Sequence, residues 1–133
     1  MALVVDASTV VAWFVASQAS TYAERILKRA AAERLHAPAL LHVEFASVLV
    51  KLAHRRKIAP EAITDILLAF EALDVVTDKA APTARTLASL CRQHALAAYD
   101  ATYFELATRM KVPLAASDAA LARVAKGAGI FLA

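Results

Sequence analysis

The sequence predicts an α/β fold of three layers, with helices on both faces of a central parallel sheet of about four or five strands. Three observations carry this expectation. Short apolar runs of strand length alternate with longer stretches whose apolar residues recur at helical spacing, and parallel strands need such crossovers. Hydrophobic residues make up 60% of the chain, with 2 glycines and 4 prolines, a balance that favours packed helices and buried strands over disorder. The length of 133 residues suits one ordinary domain, and no repeat, linker or low-complexity segment divides it, so residues 1–133 are read as a single unit.

Each element follows from local chemistry. Leu3-Val4-Val5 is a short apolar run that ends at Asp6-Ala7-Ser8, after which Thr9 to Val15 reads as an apolar helix. Thr21 and Glu24 have capping-box spacing and open a helix to about Glu33, with Ala23, Ile26, Leu27 and Ala30 on its inner face. A strand around Leu35 to Ala37 precedes Pro38, which is placed in the first turn of a long helix carrying Leu41, Phe45, Val48, Leu49 and Leu52 inward. Pro60 opens the next helix, with Ile63, Ile66, Leu67 and Phe70 inward, and Leu73 to Val76 is a strand. Helices over about Ala81 to His94 and Tyr99 to Met110 follow. Pro113 to Ala116 is then a strand, and Ser117 caps a helix from Asp118 to Lys126. Gly127 and Gly129 end that helix, and Ile130 to Leu132 is a last strand.

Several function classes are disfavoured. No stretch of about 18 apolar residues and no basic segment ahead of an apolar one is present, so a soluble cytoplasmic protein is expected, with no membrane partner. The single Cys91 lies on an apolar helix face and reads as core. His36, His42, His54 and His94 lack zinc-ligand spacing. The net charge of +3 permits nucleic-acid binding without establishing it. Lys51, His54, Arg55, Arg56 and Lys57 form the densest basic cluster, and Arg25, Lys28, Arg29 and Arg34 a second. Either serves equally well as an RNA-backbone contact or as a solvated helix end.

The 12 acidic residues are few enough to weigh one by one. Asp6 directly follows the first strand and Asp118 follows the Leu114 strand, and carboxyl ends of parallel strands share the edge where ligands bind. Glu44 interrupts the apolar run Leu40 to Ala46, where an ionised side chain is costly unless partnered or at a cleft. Asp100 stands at the start of an otherwise apolar helix. Each also has an ordinary role open to it: turn, N-cap or ion-pair partner. If the four converge, two charges about 5 Å apart repel by roughly 3 kcal/mol at an effective dielectric near 20. Several such pairs would strain a stability of about 5–15 kcal/mol. Bound cations or protons must relieve them, and an all-oxygen set favours Mg²⁺ or Mn²⁺. Such clusters suit phosphodiester hydrolysis.

Val4-Val5-Asp6-Ala7-Ser8, Pro38 with Leu41 and Glu44, Tyr99-Asp100-Ala101 with Tyr103 and Leu106-Ala107, and Ala115-Ala116-Ser117-Asp118 with Leu121 together resemble the PIN-domain family, and within it the VapC-type toxins of toxin–antitoxin pairs. The order and end-to-end coverage of these short motifs carry the likeness. The resemblance implies a metal-dependent endoribonuclease with Asp6, Glu44, Asp100 and Asp118 as catalytic and metal-holding residues and Mg²⁺ or Mn²⁺ as cofactor. Ser8 and Ser117 would support them, while Lys51, Arg55, Arg56 and Lys57 are candidates for holding RNA. It also implies a homodimer and an inhibitory antitoxin protein. One departure is Ser47, where many relatives carry asparagine.

The alternatives are a Mg²⁺-dependent phosphatase or phosphoacceptor domain and a non-catalytic RNA-binding module of the same fold. Asp6-Ala7-Ser8 lacks the Asp-x-Asp expected of a haloacid-dehalogenase-like phosphatase, and the acidic set is complete.

Overall fold

The computed structural model describes residues 1–133. In chain order the elements are β1 (Ala2–Val5), α1 (Ala7–Phe14), a 3₁₀ turn at Ala16–Gln18, α2 (Thr21–Ala30), β2 (Arg34–Pro38) and α3 (Leu40–His54). They continue with α4 (Ala62–Ala72), β3 (Val76–Asp78), α5 (Ala84–His94), α6 (Ala98–Met110), β4 (Leu114–Ala115) and α7 (Ala119–Gly127).

All strand pairs are parallel, in the order β3-β2-β1-β4. Leu3 lies beside Leu35, Val5 beside Ala115 and Ala37 beside Thr77. The expected fifth strand at Ile130 to Leu132 shrinks to one parallel bridge from Phe131 to Leu114.

Strand order fixes the layers. The steps β1 to β2 to β3 run one way across the sheet, so right-handed crossovers put α1 to α4 on one face. The step from β3 back to β4 runs the other way and puts α5 and α6 on the opposite face. The packing agrees: α1 contacts α2, α3 and α4, whereas α6 lies over β1 and β2 with α5 and α7 against it. The connection leaving β1 and the one leaving β4 therefore diverge to opposite faces, which opens a crevice at their carboxyl ends.

The core joins the strand residues Leu3, Val4, Val5 and Leu114 to Ile26, Leu41, Phe45, Leu49, Leu106 and Leu121 from the helices. Phe45 stacks on Phe70 with ring centroids 4.2 Å apart, tying α3 to α4. Apart from the Tyr103 phenol, the only polar side chains in the buried set are Asp6 and Thr9. No helix is long and apolar enough to cross a membrane.

Four local expectations are corrected. The α2 cap is Ser20, whose Oγ accepts from the Ala23 N–H, so the cap begins one residue before Thr21. Pro38 ends β2, paired with Asp78, and α3 starts only at Leu40. The third strand lies later than Leu73 to Val76, because α4 persists to Ala72 and Asp74 then turns left-handed at φ 52°, a conformation aspartate tolerates. Finally, Asp118 itself caps α7 through a 2.9 Å bond from the Leu121 N–H to Oδ2, in place of Ser117.

Candidate active site

The crevice is built around Asp6. Its backbone N–H donates to the Ala115 carbonyl at 3.0 Å, carrying the β1–β4 pairing one step beyond β1. Its side chain caps α1 and is only 3% exposed. Four donors fill its two oxygens. Oδ1 accepts from the Thr9 N–H at 2.9 Å and the Thr9 hydroxyl at 2.6 Å, and Oδ2 accepts from the Ser117 and Asp118 N–H groups at 3.1 and 3.2 Å. Asp6 thus ties the start of α1 to the turn before α7. Burial pushes its carboxyl above the ordinary range, and these donors pull against that rise.

The donors also fix a hydroxyl polarity. Thr9 has one hydroxyl hydrogen, and it goes to Asp6, so the 2.7 Å contact between Thr9 Oγ1 and Ser117 Oγ has Ser117 as donor. Exposed Ser117 is left with oxygen lone pairs toward solvent, able to accept from water or to ligate a cation. In the sequence Thr9 reads only as the start of an apolar helix, with no role at the site. Ser8, the candidate singled out there, is exposed and lines the cleft.

The other three carboxylates lie half-buried near Asp6. Glu44, on α3, accepts a 2.7 Å hydrogen bond from the Tyr103 hydroxyl on α6. Burial pushes Glu44 up, the Tyr103 bond lowers it, and the charges of Asp6 and Asp118 raise it further. Asp100 sits in the first turn of α6, beyond the N-cap at Ala97. Its carboxyl is pushed up to about 6 by burial first, then by the charge of Asp118 and hydrogen bonding with it, then by Glu44 and Asp6. The structure therefore brings all four acidic candidates within each other's fields. Tyr103 was noticed in the sequence only as part of a motif, and its bond to Glu44 had no local signal.

A cleft of about 590 Å³ opens beside this cluster, lined by Ser8, Gln18, Ser20, Glu44, Val48 and Ser117 among others. The basic candidates lie elsewhere. Lys51 is on the exposed side of α3, Arg55 is its C-cap, and Arg56 and Lys57 follow, all exposed. Eleven residues of helix separate Glu44 from Arg55, about 16 Å. Ser47 is exposed and outside the cleft lining. The histidines are also outside the cluster: His42 bonds Thr77 at 3.0 Å and His94 packs on Phe104.

Among the known proteins, a family model described as the PIN domain matches residues 3–127. The chain belongs to the PIN-domain family. Members of this family are generally metal-dependent nucleases. No curated protein matches the sequence. Among solved structures, the crystal structure of PAE2754 from Pyrobaculum aerophilum is similar at 20% identity and a TM-score of 0.71. The likeness spans 92% of this chain and 84% of that one, and at this identity it speaks for the PIN fold.

The donor chemistry of this PIN domain suits a hard divalent cation. Four carboxylates are present with neither cysteine nor histidine beside them, and burial together with their mutual repulsion raises Asp100 well above an ordinary aspartate. As the side chains lie, no three of them form a ready-made ligating group.

Proposed function

We propose that this PIN domain is a Mg²⁺- or Mn²⁺-dependent endoribonuclease that acts as the toxin of a toxin–antitoxin pair. The observation that carries the catalytic part is the gathering of Asp6, Glu44, Asp100 and Asp118 at the crevice where the β1 and β4 connections diverge, with Asp100 driven up to about 6 by burial and by the charges of its neighbours. Glu44, Asp100 and Asp118 have the exposure to hold a cation, and Asp6 sets the crevice geometry through the Ser117 and Asp118 amides. When bound, a divalent cation supplies charge neutralisation, polarisation of the scissile phosphate and a more acidic attacking water. Ser117, polarised through Thr9, offers an acceptor that orients water at the rim.

RNA as substrate and the toxin role follow from the sequence resemblance to VapC-type proteins. An exposed stripe of Val43, Ala46, Ser47 and Val50 on α3 supports an apolar contact with a second copy, consistent with a homodimer. The acidic crevice suits an arginine or lysine from an antitoxin tail.

The test is cleavage of RNA by the purified protein with Mg²⁺, with Mn²⁺ and in EDTA. Asp118→Asn is the cleanest variant, because asparagine caps a helix about as well as aspartate and the fold is kept. Cleavage is expected to need the metal and to be lost in Asp118→Asn and Asp6→Asn. Undiminished cleavage in EDTA overturns the metal reading. A neighbouring-gene product that binds without reducing cleavage overturns the antitoxin reading.

A further inference from the structure

Two side chains outside the carboxylate set bond to it, Thr9 to Asp6 and Tyr103 to Glu44, and Ser117 reaches Asp6 through its backbone N–H. Thr9 and Ser117 belong to the Asp6 anchor. Tyr103 stands apart, because it alone reaches Glu44, and it does so from a different layer of the fold. It lies three residues after Asp100 on α6, so both occupy neighbouring positions on that helix. Its ring is 1% exposed, packed in the core with Phe104, Leu106 and Ala107 of the same helix. Its hydroxyl bonds Glu44 Oε1 at 2.7 Å and no other group, and Glu44 has no other hydrogen-bond donor.

We propose that Tyr103 is a positioning residue that holds Glu44 in the orientation needed to share a divalent cation with Asp100. This rests on the metal-dependent reading given above.

The physical case has two parts. A phenylalanine would fill the same core space, so burial of the ring does not account for the hydroxyl, whose single hydrogen is spent on Glu44. A glutamate has three side-chain torsions and loses substantial rotamer freedom when an ion fixes it. A rigid donor on one carboxylate oxygen removes part of that loss beforehand and leaves the second oxygen for the cation. Because α6 carries both Asp100 and the donor, one helix sets the distance between two of the ligating groups contributed by different layers. Outer hydrogen-bond partners of ligating carboxylates typically change metal affinity by about 10- to 100-fold when removed.

The experiment is Mn²⁺ binding to the full chain without RNA, by calorimetry, for wild type, Tyr103→Phe, Glu44→Gln and the double variant. Tyr103→Phe is expected to bind Mn²⁺ about 10-fold more weakly, with its melting temperature in EDTA close to wild type. Its RNA cleavage should recover as Mg²⁺ is raised. In the Glu44→Gln background the phenylalanine change should add little, since its effect passes through Glu44. Equal Mn²⁺ affinity in wild type and Tyr103→Phe overturns the proposal while leaving the nuclease reading intact. The same loss in both backgrounds also overturns it, by showing a general structural effect. A wild type that binds no Mn²⁺ overturns the metal reading and this proposal together.

Discussion

Replacing Asp100 by asparagine should stabilise the metal-free protein. The folded Asp100 carboxyl lies at about 6 against an ordinary 3.8, because of burial and the charge of Asp118. At 1.36 kcal/mol per pH unit, ionised Asp100 opposes folding by about 3 kcal/mol before screening. The group is half-buried, and solvent screening reduces this to about 1–2 kcal/mol. The sign follows from linkage: the folded carboxyl holds its proton more tightly than the unfolded one. The stability carried by that proton is therefore complete below about pH 4 and is lost as pH rises through about 6. At pH 7.5 the wild type carries the penalty and Asp100→Asn does not. For a chain of this size, about 4 °C per kcal/mol makes the gain roughly 4–8 °C. Thermal melts followed by circular dichroism in EDTA at pH 7.5 and pH 4 measure it, each variant against wild type at the same pH. The gain should vanish at pH 4. An Asp100→Asn protein that melts at or below wild type at pH 7.5 refutes the electrostatic account, and so does a gain that persists at pH 4.

Thr9→Val keeps shape but removes the 2.6 Å hydroxyl bond to buried Asp6, and it should cost about 1–3 kcal/mol; Thr9→Ser should retain most of that stability, and a neutral valine variant in a denaturant melt would contradict the anchoring role of Thr9. Arg55→Ala with Arg56→Ala should weaken RNA binding and flatten its dependence on salt while leaving turnover at saturating RNA unchanged, because the cluster lies about 16 Å along α3 from Glu44. Titrations at several salt concentrations decide this, and an unchanged slope would make the cluster a solvated helix end. Light scattering should return about twice the chain mass at micromolar concentration, and Val43→Asp with Val50→Asp should shift it toward a single chain; a wild type that is strictly monomeric refutes the dimer.

The sequence by itself determined the layered α/β architecture and the residues worth suspecting. Alternation of apolar runs with helical periodicity is a local property, and it survives because burial of one face is what each element needs. Asp6 was legible because it directly follows a strand, Asp118 because it follows another, and Glu44 because a charge inside Leu40 to Ala46 demands a reason. Asp100, an ordinary first-turn residue by local signals, drew notice mainly as one of a set. Tertiary structure alone decided what surrounds them. Strand order placed β1 beside β4, and only that neighbourhood puts the Ser117 and Asp118 amides on a carboxylate 111 and 112 residues earlier. Tyr103 was legible only as part of a motif, because its partner Glu44 lies 59 residues away and in another layer, while Thr9 bonds Asp6 only three residues before it but read as part of an apolar helix. The basic cluster shows the converse limit. Its composition left an RNA-backbone contact and a solvated helix end equally open, and α3 carries it about 16 Å from Glu44, since a helix converts each residue of separation into about 1.5 Å.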